Sequence, residues 1–311
     1  MLGQALATAG YPVLIIDNDS QGSISLESLQ QKRSQPGIDK VYSGELTLRD
    51  CLAPTHIENL YVVPCGKNLR ENATVLETQG ALRKRVVAMF TELRNELVEN
   101  FDYVIFDNPP NDFGHPRYCS EMADKIVIPV VPDETCYSAL VRTYSKMELT
   151  YPNWKNQKVY IVTTLLKVTR RLHLKYMAAI QKFVDAICQS QVEMRGSEAL
   201  FNTTFASTTI ADVVDVPEII AGHQNLFQGP RATSAIATNM RSLVLEIFDD
   251  IPKEEFEGIL KKFALDAKNH RFETLRQMAK AKKSVATPDG ESRGGLDEKD
   301  IERMASEVTG G

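Results

Sequence analysis

Short apolar runs, each bounded by polar or turn-forming residues, recur along the first half of the chain. Runs rich in Val, Ile and Leu are typical of buried parallel strands. Apolar residues spaced three or four apart over 78–99, and a similar pattern over 172–188, instead predict amphipathic helices. The predicted strands lie at residues 12–17, 59–64, 101–107, 125–130 and 158–164. Strands that alternate with helices indicate an α/β fold with a doubly wound, mostly parallel sheet and flanking helices.

The two ends of the chain have a different pattern. Residues 4–10 predict the last turns of a helix that ends at Gly10. Residues 253–283 predict a charged helical stretch with few large apolar side chains, and residues 284–295 are typical of a flexible linker. We therefore expect an α/β domain over 1–249, a helical appendage over 250–283 and a flexible tail over 284–311.

Composition narrows the class of protein. The chain has 311 residues, a net charge of −5 and 43% apolar residues, which is ample for a buried core. Its sequence contains no run that approaches the roughly 18 consecutive apolar residues of a membrane span, and it begins without the pattern of a signal peptide. The 5 cysteines and 5 histidines are scattered, which favours reduced thiols and argues against a zinc site. We expect a cytoplasmic protein without membrane attachment.

Acidic residues follow two of the predicted strands. Asp17 and Asp19 end the first strand, and Asp107 ends the third. The carboxyl ends of parallel strands are where open α/β sheets bind ligands, and the spacing places Asp17 and Asp19 on one side of an extended chain. Carboxylates in this position suit Mg²⁺ or a positioned water molecule. The residues alone leave a solvated acidic turn open as the alternative.

Three segments in order carry a family resemblance. Residues 14–22 read LIIDNDSQG, residues 107–110 read DNPP and residues 126–133 read IVIPVVPD. Over about residues 1–248 this order resembles the ParA/MinD family of P-loop ATPases, closest to the ParA (Soj-like) DNA-partition branch. The corresponding family segments typically read like LLIDLDPQG, DCPP and VLIPVQPE.

The resemblance implies roles for the acidic residues. Asp17 would support the Mg²⁺ shell, and Asp19 would orient the water that attacks the γ-phosphate of ATP. Asp107 would be the Walker B acid that holds Mg²⁺ through water. Pro109 and Pro110 would shape a switch loop that responds to the γ-phosphate.

Other cofactor contacts are implied by position. Gln21 belongs to the first motif and is assigned to the cofactor side. Val216 and Pro217 occupy a place similar to the late loop that borders the nucleotide base in the family. Residues 229–235 resemble the family's entry to the last helix.

Basic residues form a run with no acid before Asp185: Lys167, Arg170, Arg171, Lys175 and Lys182. Three of them have near-helical spacing and could share one face. ParA-type dimers bind DNA non-specifically through such patches, which requires phosphate contacts but no base contacts. A solvated helix face stays open as the alternative.

The defining motif of the family does not occur in this sequence. No Gly-x-x-x-x-Gly-Lys-[Ser/Thr] segment is present in the 311 residues. In the family that loop follows the first strand, wraps the phosphates with backbone N–H groups and neutralises them with its lysine. We therefore expect the first strand and the P-loop to be missing, strand edges to be exposed, and ATP to bind poorly and be hydrolysed negligibly. A truncated N-terminus and a genuine relative without the loop both stay open.

The resemblance also implies a function for the full protein. It would bind Mg-ATP, form a homodimer and bind DNA without sequence preference in the nucleoid region of the cytoplasm. A ParB-like centromere-binding protein would stimulate hydrolysis during plasmid or chromosome segregation. Two alternatives are a non-catalytic interaction or regulatory module without the P-loop, and a MinD-like ATPase that positions a protein cargo.

Overall fold

Two sheets flanked by helices make up the described part of the chain. The computed structural model describes residues 1–29, 31, 32, 34–70, 84, 88, 91, 94, 97–109, 119, 120, 122–150, 157–195, 202–211, 225–228, 232 and 234–261.

The first sheet holds the first acidic strand at its centre. Its strands are β1 (Val13–Asp17), β2 (Ala53–Pro54), β3 (Leu60–Val63) and β4 (Tyr103–Asp107), in the order β2-β3-β1-β4. β1 pairs in parallel with both β3 and β4, whereas the short β2 runs antiparallel to β3. All five residues of β1 are buried, as its continuous apolar run predicts.

The second sheet is entirely parallel. It consists of β5 (Lys125–Val130), β6 (Lys158–Thr163) and β7 (Asn202–Phe205), in the order β5-β6-β7. The central strand β6 is buried over most of its length. Among the described strands, β4 lies at one end of the first sheet and β5 at one end of the second.

Helices connect and cover these strands. Two of them, α1 (Leu2–Thr8) and α6 (Ala235–Ile247), are in contact and pack with β1 in one apolar cluster. A short π-helical turn covers Ser23–Ser28, and residues 253–261 are also helical. The other helices with defined bounds in the described part of the chain are α2 (Ile38–Ser43), α3 (Leu48–Cys51), α4 (Glu134–Thr150) and α5 (Arg171–Arg195).

The close approach of α1 to the sheet depends on a small residue. A Cβ added to Gly3 would lie 3.0 Å from Ile15 Cδ1 and 3.4 Å from Ile105 Cδ1. The helix ends where expected, because Gly10 has a φ of +99° that favours glycine. The N-terminal helix therefore lies directly over the strands that carry the acids.

The five predicted strands are all present, and the helix predicted over 172–188 is confirmed with longer bounds. The helix predicted over 78–99 falls largely outside the described residues, as do the linker and the tail. Residues 202–205 and 134–150 form a strand and a helix that the apolar pattern did not predict. α6 begins after Ser234, whose Oγ accepts a hydrogen bond from the Ala237 N–H at 3.3 Å.

The start of the expected C-terminal appendage belongs to the main core. Phe256 and Leu260 are fully buried in the cluster that contains α1 and α6. Apolar residues beyond the expected boundary at 249 therefore pack in the layer over the sheet, and the domain boundaries themselves stay a prediction. No helix in the described part of the chain has the length and apolar character that a membrane span requires.

Candidate functional site

The carboxyl ends of β1 and β4 bring two of the predicted acids together. Asp17 and Asp107 are register partners across the parallel pair. The Asn18 N–H donates to the Asp107 carbonyl oxygen at 2.8 Å, which continues the ladder past the acids. The two carboxylates therefore lie at one edge of the sheet, where the sequence predicts a ligand site.

Asp17 is fully buried, and both of its carboxylate oxygens accept hydrogen bonds. The Ser25 N–H and Ser25 Oγ donate to Oδ2 at 3.0 and 2.6 Å. The Asp19 N–H donates to Oδ1 at 3.1 Å. These bonds fix the direction of the carboxylate and satisfy a charge that burial would otherwise make costly.

Asp19 lies beyond the strand, in a turn. Its Oδ1 accepts from the Gln21 N–H at 2.9 Å, and its carbonyl accepts from the Gly22 N–H at 2.9 Å. Gly22 has a φ of +70° and begins the π-helical turn that returns Ser25 to Asp17. Asp19 is half-buried and Gln21 is exposed, so only the backbone of Gln21 contributes to this turn.

The acids lie in an environment that disfavours negative charge. Burial, and then the charges of Asp17 and Asp19, raise the pKa of Asp107 to about 6. Burial also raises the pKa of Asp17, against the hydrogen bonds from Ser25 that lower it. A cation placed between these carboxylates would relieve both effects.

A buried network of polar side chains lies next to the acids and is centred on Asn18. Asn18 Nδ2 donates to Asn108 Oδ1 at 3.0 Å and to Cys119 Sγ at 3.1 Å, and the Tyr42 hydroxyl donates to Asn18 Oδ1 at 2.8 Å. Burial raises the pKa of the Cys119 thiol to about 12, so it is a neutral hydrogen-bonding group and not a nucleophile. The network joins the segment after β1 to the segment after β4.

Neither this network nor the contact of Ser25 with Asp17 was predicted from the sequence. Asn18 sits between two acids in the motif, and its partners are 24 to 101 residues away. Ser25 lies eight residues beyond Asp17 and reaches it only because the chain turns at Gly22. A single sequence contains no signal for contacts that tertiary folding creates at such separations.

The acidic half of the site fits a magnesium ion held through water. Asp17 and Asp107 would supply the carboxylates, whose oxygens are ligands of the kind that Mg²⁺ and its bound water molecules prefer. Among the described residues no group of three or more His, Cys, Asp and Glu side chains could enclose a metal directly. No segment of the sequence matches the loop that would hold the phosphates of ATP, so we derive no phosphate contact.

The other predicted cofactor residues are only partly described. Pro109 is half-buried, two residues after Asp107. Pro110, Val216 and Pro217 lie outside the described residues. Their implied roles beside the nucleotide stay predictions.

The predicted basic residues lie together on a loop and the helix that follows it. We call the set Lys167, Arg170, Arg171, Lys175 and Lys182 the basic face. The Lys167 N–H donates to Nδ1 of the buried His173 at 3.2 Å, and the Arg170 N–H donates to the Lys167 carbonyl at 3.0 Å. A hydrogen bond therefore joins the loop to the first turn of α5.

The cations on α5 point away from the core. Arg171, Lys175 and Lys182 are exposed and lie within about 40° of each other around the helix. Ile180 and Val184, on the opposite side, are buried against the second sheet. The first turn of α5 contains no acidic residue.

Exposed apolar side chains are interleaved with these cations. They are Leu165, Val168, Leu172 and Leu174, with exposed fractions of 49, 67, 53 and 49%. Leu165 also has a φ of +52°, an uncommon conformation for a residue with a branched side chain. All four belong to the same loop and helix as the basic face.

Comparisons with curated proteins give relatives of two kinds. The chain is 31% identical to the tyrosine-protein kinase CpsD of Streptococcus pneumoniae serotype 4 over 106 residues, which are 34% of this chain and 43% of that protein. It is 26% identical to a ParA family protein of Mycoplasma pneumoniae over 170 residues, which are 51% of this chain and 61% of that protein. The chain spans about half the length of the curated relatives it matches.

A solved structure shares the fold. The septum site-determining protein MinD from Pyrococcus horikoshii, in complex with Mg-ADP, matches with a TM-score of 0.57 at 14% identity, over 79% of this chain and 87% of that one. A family model described as an AAA domain matches residues 1–161, which is just over half of the chain. The chain therefore belongs to this AAA domain family, as a ParA/MinD-like member.

Proposed function

We propose that this chain is a ParA-type partition protein that acts in plasmid or chromosome segregation by binding DNA without sequence preference. The observation that carries the proposal is the basic face, which presents five cations around the start of α5. Its loop is anchored by His173, and its helical part points away from the buried Ile180 and Val184. Cations held in one place on a helix and its preceding loop suit the regular phosphates of a duplex.

The acidic site supports the nucleotide part of the proposal. Asp17 and Asp107 would hold Mg²⁺ through water, and the half-buried Asp19 beside them would orient a water molecule for hydrolysis. A cycle of ATP binding, homodimer formation and hydrolysis stimulated by a ParB-like partner would in addition require a phosphate-binding loop, which these 311 residues do not contain. The likeness to a ParA family protein supports this choice within the family.

The proposed DNA contact has a distinct physical signature. Each cation that neutralises a phosphate releases a counterion, so the affinity falls with salt by about 0.9 logarithmic units per contact. With most of the basic face engaged, the slope of log K against log [salt] would be about −3 to −4. Base identity should have little effect, because phosphate contacts do not read sequence.

Fluorescence anisotropy with two unrelated duplexes of about 30 base pairs tests the proposal. We expect both duplexes to bind with affinities within a factor of about three, at low salt where a single chain binds measurably. Absence of binding, or a preference of more than about tenfold for one sequence, would contradict it.

A second candidate function follows from the exposed apolar residues. Phosphates gain nothing from Leu165, Val168, Leu172 and Leu174, whereas a protein partner would bury them. This favours a non-catalytic interaction module, or a MinD-like protein with a protein cargo, if DNA does not bind. The variant Leu172→Asn distinguishes DNA binding from binding of a protein partner. It should leave the affinity for DNA within about twofold and would weaken only a contact with a protein.

A further inference from the structure

The basic face carries exposed apolar side chains among its cations. From Leu165 to Lys175 the chain has four exposed apolar residues and four basic residues but no acidic residue. The Leu166 N–H donates to the Ile210 carbonyl at 3.1 Å, and the Lys167 N–H donates to Nδ1 of His173, so hydrogen bonds hold the loop at two places. Burial of these apolar side chains against a second surface would be favourable, because it removes them from water.

The leucines of α5 lie on either side of its cations. Successive residues of a helix are about 100° apart, so Leu172 lies about 100° to one side of Arg171 and Leu174 about 60° to the other. Lys175 lies between the two leucines, about 40° from Arg171. A segment that fits this surface must present apolar side chains with acidic groups beside them.

A segment with that pattern occurs in the same chain, outside the described residues. Residues 298–308 read EKDIERMASEV, with four acidic and two basic residues. Ile301, Met304 and Val308 recur at intervals of three and four, which predicts one apolar stripe on a helix. Asp297, directly before the segment, is a residue type favoured at the start of a helix.

The charges of this segment are sorted around the predicted stripe. On a helix, Glu298 would lie about 60° to one side of Ile301 and Asp300 about 100° to the other. Lys299 and Arg303 would both lie about 160° from Ile301, on the opposite face. The apolar stripe therefore has acids on both sides, and the two cations of the segment would point away from a positively charged partner surface.

The chain before this segment is long enough to bring it to the basic face. Lys261 is the last described residue, and 36 residues separate it from Glu298. The predicted linker over 284–295 alone spans up to about 40 Å, which is close to the diameter of a domain of this size. A flexible tether holds such a segment at an effective concentration on the order of millimolar, so a weak contact is sufficient.

We propose that residues 298–308 dock as an amphipathic helix on the basic face of the same molecule and on the apolar side chains among its cations. The segment and DNA would use the same cations, so DNA would have to displace the segment before it could bind. This inhibitory role rests on the proposed DNA binding, whereas the contact itself does not.

Acetylation of lysine side chains in the complete chain of 311 residues tests the contact without DNA. Glu298→Lys with Asp300→Lys replaces the acids on both sides of the stripe. We expect the acetylation rate of Lys175, measured by mass spectrometry, to rise at least about threefold in this variant, with no change at the exposed Lys253.

Two further double variants separate the contributions to the contact. Asp289→Lys with Glu291→Lys makes the same change in net charge within the predicted linker and should leave the acetylation rate of Lys175 unchanged. Ile301→Ser with Val308→Ser keeps the charge but removes the stripe, and should raise that rate as the charge variant does.

Duplex binding tests the inhibitory role. At low salt, the Glu298→Lys, Asp300→Lys variant should bind the 30-base-pair duplexes at least about threefold more tightly than the Asp289→Lys, Glu291→Lys variant. If Lys175 responds as expected and no variant binds DNA, the contact is supported and the proposed partition function fails.

The docking proposal is overturned if DNA binds and the acetylation rate of Lys175 is the same in the unmodified protein and in all three double variants. That result would leave the partition function in place. Protection of Lys175 that disappears on about hundredfold dilution of the unmodified protein would also overturn the proposal, because it would place the segment on a second copy of the chain.

Discussion

The charge state of Asp107 couples the acidic site to the stability of the fold. Burial and the nearby Asp17 and Asp19 raise its pKa from 3.8 to about 6. Between these values the folded state holds a proton that the unfolded state has released. The free energy of unfolding therefore falls as the pH rises from about 4 to about 6 and stays lower above that, by about 2 kcal/mol after allowance for partial exposure.

Asp107→Asn removes this ionisation and should flatten the pH dependence. We expect the variant to be about 2 kcal/mol more stable than the unmodified protein at pH 7 and close to it at pH 4. Urea unfolding in metal-free buffer at pH 4, 5, 6 and 7 measures the difference. The exposed Asp102→Asn should keep the original pH dependence, and an Asp107→Asn variant that also keeps it would remove Asp107 from this role.

Ser25 holds Asp17 in position. Ser25→Ala removes the 2.6 Å hydrogen bond from Ser25 Oγ to a fully buried carboxylate. We expect a loss of about 1.5 to 3 kcal/mol in the free energy of unfolding, because hydrogen bonds to buried charges are among the stronger ones. The exposed Ser242→Ala is the matched control and should change stability by less than about 0.5 kcal/mol. Equal effects of the two substitutions would contradict the assignment.

At the scale of elements, the strands could be predicted from the sequence, whereas the hydrogen-bond network around the acids could not. Continuous apolar runs identify β1 and β4 because buried parallel strands require them, and the rule for strand ends then brings Asp17 and Asp107 together. β7 was not predicted because its residues Asn202–Phe205 include two threonines and an asparagine, and its place comes from pairing with β6. The network around Asn18 depends on long-range contacts that no local pattern records.

A substitution of His173 can separate two contributions to DNA binding, the charge of the basic face and the position of the loop before α5. His173→Ala removes the acceptor for the Lys167 N–H but leaves all five cations of the basic face. We expect duplex affinity to fall about threefold with an unchanged salt slope, because ordering the loop becomes part of the cost of binding. Gln181→Ala, at an exposed position of the same helix, should leave affinity unchanged. A change in the salt slope of His173→Ala would contradict this, because it would mean that the number of phosphate contacts had changed.

At the scale of the whole molecule, the described residues form two sheets, and two carboxylates, those of Asp17 and Asp107, lie at the carboxyl end of adjacent strands in the first. The sequence contains no phosphate-binding loop, and the carboxylates of Asp17 and Asp107 would repel a triphosphate unless a cation intervened. We therefore expect this chain alone to show no dimerisation on addition of Mg-ATP in sedimentation velocity. Dimerisation at micromolar nucleotide would contradict this expectation and place the phosphates on groups outside the site described above.

The most direct test of the account is the salt dependence of duplex binding by a charge-reversal variant. Arg171→Glu with Lys175→Glu should weaken binding at least tenfold at low salt and reduce the slope of log K against log [salt] by about 1.8, because two phosphate contacts are lost. Lys253→Glu with Lys261→Glu makes the same change in net charge at exposed positions elsewhere and should leave the slope within about 0.3 of the original. Equal slopes for the two double variants would contradict a phosphate-binding role for the basic face, and with it the proposed partition function.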